Sequence, residues 1–137
     1  MSELVASTSL KNEKHFHLFI DDANQVIVAR WKGFLKPEQL DEGTKALTQA
    51  IRSRRIKKHL SDQSELKVLS SDIQKRLVEG VLPEIERAGV TKLAVKSADD
   101  IFAIATVEKV NNSSQIGNMT IKTFNTDQQC LNWLNEK

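Results

Sequence analysis

The sequence predicts a single α/β domain built on a mostly parallel sheet. We expect five strands, with an antiparallel strand at the N-terminal edge, and four helices mainly on one face. After an initial hairpin pattern, β-rich stretches alternate with stretches of helical spacing, which is typical of parallel sheets. Polar residues also alternate with apolar ones in the later strands, whereas strands covered on both faces are continuously apolar. We therefore expect one face of the sheet to be bare.

The composition is that of an ordinary globular protein. The chain has 137 residues, of which 39% are hydrophobic and 28% charged, and its net charge is only +2. That charge is too small to indicate a nucleic-acid partner. A lone cysteine, Cys130, excludes an intrachain disulfide and fits a reducing compartment. With no signal-like start and no apolar run near the ~20 residues of a membrane helix, we expect a cytoplasmic protein that is not embedded in a membrane.

The N-terminal part predicts a loose tail followed by a hairpin. Residues 1–13 are polar and without strong periodicity, so we expect a tail there and one domain over residues 14–137. The stretches His15–Ile20 and Gln25–Trp31 are rich in aromatic and β-branched residues, and the turn-forming residues Asp21–Asn24 separate them. This pattern predicts two antiparallel strands.

The first two crossovers each carry a helical pattern. Behind Pro37, the residues Leu40, Leu47 and Ile51 recur at helical spacing, which predicts a helix from Glu38 to about Ser53. A strand at Ile56–Asp62 comes next. A second helix, Ser71–Ala88, has apolar residues at every fourth position, and we expect a kink or short break at Pro83.

The C-terminal half repeats the alternation. It contains a strand at Lys92–Lys96, a helix at Asp99–Asn112, a strand at Met119–Phe124 and a helix at Thr126–Asn135. Thr126 with Gln129 forms a capping-box pattern at the start of the last helix. If the third, fourth and fifth strands share one polar face, that bare face is mildly basic and carries Lys57, His59, Lys92, Lys96 and Lys122.

Several stretches together resemble the SpoIIAA-like, STAS-related proteins, most closely the small stand-alone bacterial members. The resemblance spans about residues 15–136 and rests on Trp31-Lys32-Gly33-Phe34, Leu60-Ser61-Asp62, Ala88 to Val95, Phe102, Phe124 and Trp133-Leu134. It implies a βα superhelix and a non-enzymatic protein that works through contact with other proteins. In some relatives it implies lipid or nucleotide binding, and the CRAL-TRIO lipid carriers share the broad layout.

The phosphorylation motif of the STAS anti-sigma-factor antagonists is only partly present. That motif, Asp-Ser-Ser-Gly-Leu, falls on Asp62, Gln63, Ser64, Glu65 and Leu66. The family's phosphorylated serine corresponds to Gln63, which has no hydroxyl, and its glycine corresponds to Glu65. We therefore favour a structural role for Asp62 and Ser64, in which they close a turn with side-chain-to-backbone hydrogen bonds.

Two other groups of residues have a functional and a structural interpretation. His15 and His17 could form half of a metal site, but no fourth ligand is visible, so surface histidines are the preferred interpretation and no metal or other cofactor is expected. The run Arg52–Lys58 could contact the phosphates of a lipid headgroup or a nucleic acid. We favour a solvated helix end over that contact by about two to one.

The expected site follows from the predicted topology. Ligand sites of open α/β sheets lie beyond the carboxyl ends of the parallel strands. This edge comprises Phe34, Asp62, Ser64, Leu66, Ser97, Asp99 and Phe102. The leading hypothesis is a non-enzymatic regulatory or protein-interaction module with a protein partner. The alternatives are a binder of a small apolar or anionic-lipid ligand, held near Phe34 and Phe102, and, least favoured, a hydrolase. A homodimer stays open.

Overall fold

A computed structural model of the chain describes residues 4–67, 70–96 and 119–136. Six strands form one sheet in sequential order: β1 Thr8–Glu13, β2 Phe16–Asp21, β3 Val26–Gly33, β4 Lys58–Leu66, β5 Lys92–Lys96 and β6 Thr120–Phe124. The first three strands pair antiparallel, and β3 to β6 pair parallel. The mixed α/β sheet is therefore confirmed, with six strands rather than five.

The additional strand comes from the segment expected to be a loose tail. Residues Thr8–Glu13 pair with β2 and form the antiparallel edge of the sheet. The sequence signal is weak there because β1 buries no side chain and therefore lacks an apolar alternation. The expectation of a loose tail over residues 1–13 is thus wrong for residues 8–13.

The helices that the structure describes are α1 Pro37–Arg54, α2 Ser71–Arg76, α3 Leu82–Ala88 and α4 Asp127–Leu134. A π-helical segment, Leu77–Val81, joins α2 to α3. It ends two residues before Pro83, which has no amide hydrogen, so the predicted break occurs as a widened turn. Ser70 caps α2, and Thr126 caps α4 with Gln129 as expected. The helix predicted at Asp99–Asn112 lies outside the described residues.

The sheet is covered on both faces. On one face, which we call the α1 face, Ile27, Ala29 and Leu93 pack with apolar residues of α1, α2 and α3. On the opposite face, which we call the α4 face, the second apolar cluster joins sheet residues to one side of α4; its buried members are Phe19, Val26, Val28, Leu60, Ala94, Cys130, Leu131, Trp133 and Leu134. The expectation that helices leave one face bare is therefore wrong.

The predicted basic face fails because its residues do not share one side of the sheet. His59 pairs in register with Leu93, whereas Leu60 pairs with Ala94. His59 accordingly lies on the α1 face, where it is 1% exposed. Lys92, Lys96 and Lys122 lie on the α4 face. Lys57 precedes β4 and is exposed at the opposite end of the parallel strands from the predicted site.

Candidate functional site

The carboxyl ends of β3 and β4 form an edge with one prominent apolar side chain. Gly33 ends β3 in a conformation with φ of +75°, which favours glycine, and its carbonyl accepts a hydrogen bond from the Lys67 amide at 3.1 Å. The chain then turns outward, and Phe34 is 76% exposed. Among the described residues it is the most exposed large apolar side chain. We call this surface the strand-end edge.

The sequence-predicted site residues occupy different environments at this edge. Phe34 is on the surface, but Leu66 is 5% exposed and packs into the core of the α1 face. Asp62 is 4% exposed and lies on the α4 face. Ser64 is half-buried. It lies within β4, which continues to Leu66, whereas a turn was expected at this position. Ser97, Asp99 and Phe102 lie outside the described residues.

Asp62 belongs to a group of four charged side chains from four elements. Arg30 of β3 donates hydrogen bonds to Asp62 and, at 3.3 Å, to Asp127 at the start of α4. Lys96 of β5 lies 3.4 Å from the Asp127 carboxylate and 4.0 Å from that of Asp62. We call these four residues the charge cluster. It ties the N-terminus of α4 to three neighbouring strands.

The charge cluster keeps Asp62 ionised despite its burial. Burial alone would raise the pKa of this carboxyl group, but hydrogen bonds from Ser64 and Arg30 and the charge of Lys96 outweigh it and lower the pKa. The Ser64 hydroxyl donates to Asp62 Oδ1 at 2.5 Å and the Ser64 amide donates to the same oxygen at 3.0 Å. The predicted side-chain-to-backbone bond is thus present, within a strand.

Two of the lysines that were expected on a bare face, Lys92 and Lys122, instead contact the C-terminal end of α4. Lys92 Nζ donates to the carbonyl oxygen of Trp133 in the last turn of α4, at 3.1 Å. It also donates to the carbonyl oxygen of Glu136, two residues past the end of the helix, at 2.9 Å. The ammonium groups of Lys92 and Lys122 lie 5.2 and 5.8 Å from the centre of the Trp133 ring. Cations at a helix C-terminus satisfy its last carbonyls and its dipole, so these residues have a structural role.

A second polar group is enclosed under the helices of the α1 face. His59, Ser61 and Gln63 alternate along β4 and line a cavity of about 30 Å³ together with Leu47, Val81 and other apolar residues. Gln63 donates to the Ser61 hydroxyl at 3.2 Å. A cavity of this size accommodates about two water molecules. Sites for drug-sized ligands are about 300–1,000 Å³.

Two reactive side chains of the described chain, the Cys130 thiol and the His59 imidazole, are buried. Burial, together with the nearby carboxylates of Asp127 and Asp62, raises the pKa of the Cys130 thiol to about 12. Burial also lowers the pKa of His59 to about 4. A neutral buried thiol is a poor nucleophile. No group of three or more His, Cys, Asp or Glu in the described ranges is placed to bind a metal ion.

Sequence reasoning missed Arg30 and Asp127. The available signal was Arg30 itself, a charged residue inside the otherwise apolar run Val26–Trp31. A buried arginine requires a carboxylate partner. In the parallel register, the residue opposite Arg30 is Asp62. Asp127 could not be found this way because its position depends on which face α4 covers.

Comparison with solved structures shows a SpoIIAA-like fold. The chain is similar to an uncharacterized protein of the DUF3478 family from Shewanella loihica PV-4, whose crystal structure is described as having that fold. The two share 19% sequence identity, the match covers 91% of this chain and 98% of the other, and the TM-score is 0.58. No protein-family model matches the sequence, and no match is found among curated proteins. In the described part of the chain, no helix has the length and apolar character needed to cross a membrane.

Proposed function

We propose that this protein is a non-enzymatic interaction module that docks a protein partner through its strand-end edge. The observation that carries the proposal is the 76% exposure of Phe34. Burying a phenylalanine side chain is worth about 1.5–3 kcal/mol, and exposed aromatic residues are frequent anchors of protein interfaces. A regulatory role belongs to this proposal. A cytoplasmic location also belongs to it, because the lone cysteine fits a reducing compartment.

The surroundings of Phe34 indicate which partner surface would fit. Lys36, two residues after Phe34, is exposed, and so is Lys67, which directly follows β4. Lys32 is also exposed and lies 3.7 Å from the carboxylate of Glu65. The strand-end edge is therefore apolar at its centre, and the residues around that centre are mostly cationic. We infer that the partner offers an apolar pocket with acidic residues around it.

The burial of two reactive side chains supports binding rather than catalysis. The thiol of Cys130 and the imidazole of His59 are both enclosed in the fold. A nucleophile requires a base within hydrogen-bonding reach and access to the substrate. The charge cluster is internally neutralised, since two cations face two carboxylates. Its hydrogen bonds stabilise the position of α4.

Site-specific photo-cross-linking tests the proposed surface. A photoreactive phenylalanine analogue at position 34 conserves the aromatic ring and should give a discrete cross-linked product with a protein partner in cells. The same analogue at Ala23, an exposed turn position between β2 and β3 at the opposite end of these strands, is the matched control and should give none. A product of twice the chain's mass would identify a second copy as the partner. Equal labelling from positions 34 and 23 would contradict the proposal.

A substitution then measures the contribution of the ring. Phe34→Ser should weaken binding of the captured partner by about tenfold or more, because about 1.5–3 kcal/mol of apolar burial is lost. The unfolding midpoint should hardly change, since the side chain packs against little in the free protein. Leu10→Ser, at a 38% exposed residue on the edge strand β1, should leave affinity unchanged. An unaltered affinity in Phe34→Ser would exclude this surface.

A further inference from the structure

A concave, strongly cationic surface lies at the amino ends of the parallel strands, opposite the strand-end edge. A groove of about 620 Å³ is formed by the end of α1, the start of β4 and the turn between β2 and β3. It is lined by Ile20, Asp22, Gln25, Arg54, Arg55, Ile56, Lys57 and Lys58. Four cations therefore face one carboxylate. We call this surface the basic groove.

The positive charge of the basic groove is largely uncompensated. The side chains of Arg54, Arg55 and Lys57 make no ion pair or hydrogen bond with any residue in the ranges that the structure describes. The single acid, Asp22, already accepts a hydrogen bond from the Thr8 hydroxyl at 3.1 Å. Like charges placed together repel each other, so this arrangement lowers stability unless an anion binds.

The backbone of the groove provides an independent observation. In the described chain, two residues other than glycine have positive φ, namely Gln25 at 55° and Arg55 at 54°. Both line the basic groove. This conformation costs a non-glycine residue roughly 1 kcal/mol, and Arg55 occupies the helix-ending position where glycine is usual. Strained non-glycine residues cluster at functional sites.

We propose that the basic groove binds a soluble anion bearing two or more phosphate groups. Arginine and lysine side chains supply the donors that phosphate oxygens accept. No aromatic residue lines the groove, whereas single-stranded nucleic acids are bound on aromatic platforms. Phe34, the most exposed large apolar side chain of the described residues, lies at the other end of the parallel strands. That separation favours a free anion over a headgroup in a lipid surface. The site is independent of the docking surface proposed above.

Calorimetric titration with sodium tripolyphosphate tests this site. The unmodified protein should bind one equivalent. Arg55→Gly should reduce the affinity about tenfold or more, since a charge-assisted contact is lost, yet its midpoint of thermal unfolding without ligand should stay equal or rise because glycine favours positive φ. A residue that serves only to end the helix would show no affinity change in this variant. Lys57→Gln should also lose affinity.

A charge-matched control separates specific binding from general attraction. Lys45→Gln removes one exposed cation of α1 that does not line the groove and should bind tripolyphosphate like the unmodified protein. Absence of binding at millimolar tripolyphosphate, or an equal loss in Lys45→Gln, would overturn the proposal. Co-sedimentation with phosphatidylcholine vesicles containing a phosphoinositide, without any binding of tripolyphosphate, would overturn it in favour of a lipid headgroup.

Discussion

His59 is a buried titratable residue at the centre of the sheet. Its Nδ1 lies 2.9 Å from the carbonyl oxygen of Ile27. Because a carbonyl only accepts, Nδ1 carries the hydrogen of the neutral ring. Burial lowers the pKa of His59 to about 4 from 6.5, and the bond to Ile27 only partly opposes that effect. The unfolded chain therefore binds a proton that the folded chain does not bind between pH 6.5 and 4.

This difference predicts a loss of stability in mild acid. As pH falls from 6.5 to 4, the free energy of unfolding should decrease by about 3 kcal/mol, because the unfolded state takes up the proton first. Urea unfolding measured at intervals across this range gives the slope. His59→Leu should have a much flatter profile. The pKa values of the Asp21 and Asp62 carboxyl groups are lowered from 3.8. The stability that these two groups contribute is therefore lost only at lower pH, from 3.8 downward.

A control variant assigns the slope to this histidine. Burial and the charges of Arg30 and Lys32 also lower the pKa of His17, which lies on the other face of the sheet. His17→Gln should keep most of the fall in stability between pH 6.5 and 4. If that variant flattened the profile as much as His59→Leu does, the assignment to His59 would be wrong.

Single residues differ in how much the sequence says about them. Phe34 was placed at the strand-end edge from the topology alone, and it is exposed there. Asp62 was placed at the same edge, but its partners Arg30 and Asp127 come from distant elements. A local pattern identifies a turn or strand end, whereas a hydrogen-bond partner depends on register and on which helix covers the face.

At the scale of elements, α1 docks on the sheet through a glycine. Gly43 lies in the middle of the helix, and a Cβ added to it would lie 2.6 Å from one Trp31 ring atom and 2.8 Å from another. The Trp31 ring also contacts Phe16, with centroids 4.3 Å apart. The helix therefore approaches the hairpin closely because residue 43 has no side chain.

Paired glycine substitutions test this close approach. Gly43→Ala should lower the free energy of unfolding by about 1–3 kcal/mol, because the added methyl group displaces a packed indole. Gly80→Ala is the matched control. No atom lies within 4 Å of its added Cβ, so alanine should be neutral or gain up to about 1 kcal/mol. Guanidinium unfolding compares both with the unmodified protein, and equal stabilities would show that α1 does not depend on this contact.

At the scale of the whole molecule, the described part of the core contains a small cavity. The cavity under the α1 face is about 30 Å³, whereas a lipid-binding site would need at least ten times that volume. The small cavity within residues 4–67, 70–96 and 119–136 therefore supports the proposed docking of a protein over binding of an apolar ligand.

Native mass spectrometry tests that ranking directly. The purified protein should give the mass of the polypeptide with no lipid adduct, because the cavity in the described part of the core is too small for one. The same sample sprayed under denaturing conditions fixes the mass of the bare chain. A mass difference corresponding to a lipid, lost on denaturation, would favour the ligand-binding alternative. A doubled native mass would show a dimer.

The sequence by itself determined the order of most elements, the parallel pairing after the hairpin and the cap at Thr126. These features depend on local spacing and on turn chemistry, which neighbouring residues specify. The tertiary structure alone decided that β1 joins the sheet and that α4 covers the second face. Whether the lysines of a strand are exposed to solvent or contact a helix depends on which face of the sheet the following helix covers. That choice is made by packing between residues far apart in sequence, which no local pattern encodes.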